Sequence, residues 1–114
     1  MRIALMTALS ILTVACGGSI PPPSDEWSAA QADVGRAESG GAPGVPDAKL
    51  HLQLAQEDLQ KSKALMDTQD NQRAASLVAV ARVEAQLALS LARATQAQAQ
   101  AQQAQADLQK AKGN

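Results

Sequence analysis

Two segments of this chain carry mostly small or apolar residues at the same 4-3-4-3-4 spacing, separated by a short polar stretch. The first stripe is Ala48, Leu52, Ala55, Leu59, Ser62 and Met66; the second is Arg73, Leu77, Val80, Glu84, Leu87 and Leu91. Steps of three and four keep residues on one face of an α-helix, so each segment reads as an amphipathic helix. Between them, "DTQDN" (Asp67 to Asn71) is rich in side chains that bond their own backbone and favour turns and caps. Folding at Gln69-Asp70 sets Leu59 opposite Val80, Ala55 opposite Glu84, Leu52 opposite Leu87 and Ala48 opposite Leu91. Several layers pair small with large residues, as interdigitating helices require. The expected fold class is all-α: a short helix 1, then an antiparallel, coiled-coil-like hairpin whose long C-terminal helix extends beyond it.

Helix 1 is expected over about Asp25 to Glu38, with Ser24 as N-cap and Asp25-Glu26 favourably placed against the helix dipole. Trp27, Ala30, Val34 and Ala37 form its face, and "SGGAPGVP" (Ser39 to Pro46) ends it. Helix 2 is expected from Asp47 to about Met66 and helix 3 from near Asp70. Helix 1 should cover the second apolar face of helix 3, where Val78 and Leu89 project.

Composition agrees with a thin helical core. Of 114 residues, 25 are alanine and 14 glutamine; Phe and Tyr are absent, and Trp27 is the one aromatic. Alanine buries little area, so stability must come from many small helix–helix contacts.

The N-terminus reads as an address. Met1-Arg2 is a minimal positive start, and Ile3 to Ala15 is a thirteen-residue apolar run. Crossing a membrane takes roughly 20 residues, so this run is a signal peptide rather than a span. Its end, Thr13-Val14-Ala15-Cys16, resembles a bacterial lipobox, with Thr13 where leucine is usual and Leu12 displaced by one. Cleavage between Ala15 and Cys16 would leave Cys16, the sole cysteine, as the lipidated first residue. The alternative is an ordinary signal cut after Ala15, leaving a free thiol. "GGSIPPPS" (Gly17 to Ser24) cannot be helical and reads as a tether. Gly17 after the cysteine favours the outer membrane over inner-membrane retention, in a Gram-negative envelope. The expected organisation is 1–15 lipoprotein signal peptide, 16–24 lipidated cysteine and tether, 25–93 hairpin domain and 94–114 Ala/Gln-rich helical tail, fraying at its end.

That tail has its own stripe of Ala94, Ala97, Ala101, Ala104, Leu108 and Ala111. An alanine stripe lets helices approach closely, so the tail can pair with a second copy or with an envelope protein; a solvated spacer is the alternative.

Little in the chain points to chemistry. His51 is the only histidine; it shares a helix face with Asp47 and Asp58, too few ligands for a metal site. Glu84 falls within the hydrophobic seam, where it should reach solvent or pair with His51 or Lys49 across the hairpin. No nucleophile–base set and no Gly-rich phosphate loop is present, so neither an enzyme, a cofactor, a metal nor a small-molecule substrate is expected. Removing residues 1–15 takes Arg2 from the ten Lys/Arg and leaves nine against eleven Asp/Glu, a net of about −2. Without a basic patch interleaved with aromatics, nucleic acid is not an expected partner.

From about Ser28 to Ala97 the chain resembles the alanine-rich bacterial envelope proteins grouped as domain of unknown function 4398. The Ala-spaced helix 1, the Gly41-Ala42-Pro43 hinge, "KLHLQLAQEDLQKSKALM" and "ASLVAVARVEAQLALSLARA" carry the resemblance. It implies a signal-bearing, often lipidated helical module, in some members joined to an OmpA-like peptidoglycan-binding domain. No such domain is expected within these residues, and the family implies no activity. The expected function is a non-enzymatic envelope lipoprotein, a helical structural or interaction module anchored through acyl chains on the periplasmic face of the outer membrane. The alternative is a soluble, secreted periplasmic binding or chaperone-like protein.

Overall fold

The computed structural model describes residues 18–113; the expected signal segment and the Ala15-Cys16 site lie outside the described residues. Three α-helices follow one another, α1 (Ser24–Ser39), α2 (Pro46–Asp67) and α3 (Asn71–Lys112), with no strand among the described residues. The all-α expectation holds, as does the long C-terminal helix. At 1.5 Å per residue α3 spans roughly 63 Å and α2 about 33 Å.

Local chemistry sets the element ends. Asp25 and Glu26 lie in the first turn of α1 and Arg36 in its last, each matched to the dipole. Ser24 is not the cap expected of it. It is the first helical residue, and the cap position falls to Pro23, whose restricted φ suits a helix start. After α1 the chain turns through Gly41 at φ 93°, a left-handed conformation that favours glycine, into a 3-10 turn at Ala42–Gly44. Pro46 then opens α2, where its missing N–H costs nothing. Between α2 and α3, Gln69 takes a positive φ of 62°, and the Asp70 carboxylate caps α3 by accepting from the Arg73 N–H at 3.3 Å.

On α2 the buried residues are Ala48, Leu52, Ala55, Leu59 and Ser62, the expected stripe, with Met66 half-buried at its end. On α1, Ala30, Val34 and Ala37 are buried as expected, together with Asp33. Helix α3 departs from expectation. Its buried stripe is Ala74, Val78, Ala81, Ala85, Ala88 and Ala92, with the right spacing but one residue further on. Of the expected seam, Leu77 and Leu91 are half-buried, whereas Val80 is 46% and Leu87 40% exposed.

The shift has a geometric cause. Helix α3 packs against α1 and α2 together, so its innermost line points between two neighbours rather than at one. Where three backbones converge only small side chains fit, and the larger ones move to the flanks. Glu84 flanks the α2 side and Leu89 the α1 side, Leu89 lying so close to Gly40 that a Cβ there would meet its Cδ1 at 2.3 Å. Val78 is buried where helix 1 was expected to cover it. The core is correspondingly fine-grained, its largest fully buried side chains being Val78 and Ser62.

From Arg93 onward every described side chain of α3 is exposed, yet the helix continues to Lys112. One 18-residue window of α3 reaches a mean hydropathy of 1.4, apolar enough by length and composition to cross a membrane. Only 28% of that window is buried, and exposed Val80, Val83 and Leu87 on the same helix are more apolar than its buried alanines.

Candidate functional site

Three part-buried polar ties link the helices. The first joins α1 to α3 through Asp33, only 4% exposed. Its carboxylate accepts from Arg36 on its own helix, from Arg82 Nε at 3.1 Å and from Gln86 Nε2 at 3.4 Å. Burial alone would raise its pKa, but the hydrogen bonds and charges of Arg36 and Arg82 outweigh that and hold it below the ordinary 3.8. The second tie joins α2 to α3: His51 Nδ1 lies 2.5 Å from Glu84 Oε2. This is one of the two partners expected for Glu84, and both groups remain about a quarter exposed. In the third, Trp27 Nε1 donates to the Leu59 carbonyl at 3.1 Å, with Lys63 Nζ 6.0 Å from the ring centroid.

These groups connect helices, and only the third, Trp27 with Leu59 and Lys63, borders a concavity. Among the described residues no three His, Cys, Asp or Glu side chains gather to hold a metal ion. The concave places are shallow. One lies between Ser19–Pro22 and the α2–α3 turn, where Asn71 Nδ2 donates to the Ile20 carbonyl at 2.7 Å. The segment expected to be a tether therefore starts its described course beside that turn. Another lies over Trp27, Gln56 and Lys63, where α1 meets α2.

The surface with most to offer a partner is apolar. On α2, Leu50 and Leu54 are 55% and 38% exposed; on α3, Val80, Val83 and Leu87 are 46%, 63% and 40% exposed. Helical spacing places both sets around the His51–Glu84 pair, whereas α1 meets α3 through Arg82 and Gln96, on another side. Further along, Leu108 is 61% exposed on the tail. Of the expected seam residues, Leu52 and Leu59 thus belong to the core, Leu77 and Leu91 to its edge, and Val80 and Leu87 to this open face.

Sequence reasoning missed Asp33 and the open face. Asp33 lies three residues after Ala30 and four before Ala37, on the apolar face of helix 1. A carboxylate there was the available signal for a buried ion pair.

Together these features define, among the described residues, a small, alanine-packed three-helix body, a hairpin covered on one side and open on the other. Residues 25–104 match the family described as a domain of unknown function, DUF4398, and the chain belongs to it. No curated protein and no solved structure matches the chain.

Proposed function

We propose that this protein is a lipid-anchored helical interaction module of the bacterial cell envelope, with no catalytic role of its own. The observation that carries the reading is the close of the N-terminal apolar run, Ala15 followed by the sole cysteine, Cys16, and then Gly17-Gly18. In this reading Cys16 carries the acyl chains, Ala15 is the small residue at the cut, and the body faces the periplasm from the outer membrane. The architecture is compatible with that use. Residues 18–23 meet the body at the α2–α3 turn, while α3 runs from that turn past the hairpin and ends far from it. An anchor at one end would leave the exposed tail and its apolar residues free to meet a partner.

Metabolic labelling with a palmitate analogue tests the anchor. The wild-type chain should take up label and sediment with outer membranes, and Cys16→Ser should do neither. An unlabelled wild-type chain in the soluble fraction would replace this reading with the secreted, free-thiol alternative.

A further inference from the structure

Helix α3 carries a second stripe, on the face that its own hairpin leaves open. With Val80 as heptad position a, the a residues are Val80, Leu87, Ala94, Ala101 and Leu108. The d residues are then Val83, Ser90, Ala97, Ala104 and Ala111, and all ten side chains are exposed. The hairpin uses other positions: the buried Ala81, Ala85, Ala88 and Ala92 occupy b and f. Glu84 at e meets α2, and Arg82 and Leu89 at c meet α1. At 100° per residue the a/d line lies opposite the buried stripe. The four large apolar residues exposed on α3, namely Val80, Val83, Leu87 and Leu108, all fall on this line.

A helix that packed only within its own hairpin would need one stripe. A second, strictly seven-residue stripe that continues past the hairpin is the pattern of a helix supercoiled with a partner. We propose that it is a homodimer seam, with α3 of a second copy packing along residues 80–111, parallel and in register. The proposal names the partner for the interaction-module reading. It rests on that reading for α3 alone and not on acylation.

Charge and area support this occupant. In a parallel pair, g of one copy neighbours the following e of the other, which matches Arg93 with Gln98, Gln100 with Gln105 and Asp107 with Lys112. One opposite-charge pair results, and no like-charge pair. About 48 Å of helix roughly 10 Å wide gives on the order of 1,000 Å² over both copies, the lower bound for a specific interface. Six of the ten layers are alanine or serine, so the dimer is weak and concentration-dependent.

Single-cysteine crosslinking in the full-length chain tests the seam, on a Cys16→Ser background so that the added thiol is alone. Mild oxidation should link Ala101→Cys, at position a, to itself about tenfold more efficiently than Ala99→Cys, at position f. Leu87→Lys should retain its helicity by circular dichroism and weaken dimerisation by about tenfold or more in sedimentation equilibrium. Monomer at every concentration, or equal linking at 99 and 101, overturns the seam. Linking of Ser90→Cys to Ala101→Cys in a mixture marks an antiparallel pair and overturns the register. The two readings fail separately: an unacylated chain that still links through position 101 loses the anchor only, and an acylated monomer loses the seam only.

Discussion

Asp33 shows how a single buried carboxylate can set a helix's position. Its two arginines are partly solvated, Arg36 at 62% and Arg82 at 42% exposure, so removing the charge strands no buried cation. Asp33→Asn should therefore cost about 1–2 kcal/mol in urea unfolding at neutral pH, below the full range for charged hydrogen bonds. The pH dependence has a definite sign. The folded pKa lies below 3.8, so on acidification the unfolded chain binds the proton first. The stabilisation is complete above the ordinary carboxylate range and disappears as pH falls through the folded value. The wild-type urea midpoint should drop between about pH 5 and pH 3, and that of Asp33→Asn should drop less. Parallel curves would show that Asp33 is not the group responsible. Of the polar ties, the sequence disclosed Glu84 with His51, because a carboxylate in an apolar stripe demands a nearby partner. It concealed Asp33, because which arginine reaches it depends on how α1 lies on α3.

At the scale of the element, the informative case is α3. The stripe of its largest residues and the stripe it buries differ by one position, and only the second consists of residues small enough for two helices to approach at once. Substitutions separate the two. Ala85→Leu adds volume where α3 has no exposed surface and should cost roughly 1–3 kcal/mol in thermal or urea unfolding. Leu87→Ala removes a larger side chain from an open face and should cost less than about 1 kcal/mol, measured at low protein concentration. A larger loss for Leu87→Ala than for Ala85→Leu would restore the leucine seam and remove the open face. In α2 the two readings coincide, because the face of Leu52 and Leu59 is also its buried line.

The whole molecule is a short body with a long arm. Hairpin and covering helix use α3 up to about Ala92, and the exposed remainder makes few tertiary contacts, such as Gln96 Nε2 donating to the Gly40 carbonyl at 3.1 Å. Deleting residues 98–114 should leave the melting temperature of the body within a few degrees while abolishing self-association in sedimentation. A body that melts far lower would give the arm a role in folding. Helix content, helix order, the turns at Gly41 and Gln69–Asp70 and the buried face of α2 were determined by the sequence alone, because spacing, capping and backbone freedom act within a few residues. Which face of α3 is buried, which arginine meets Asp33 and which leucines stay exposed were decided by the tertiary structure. Those outcomes depend on where two other helices sit, and a helix whose every face carries alanine fits several such arrangements until its neighbours are in place.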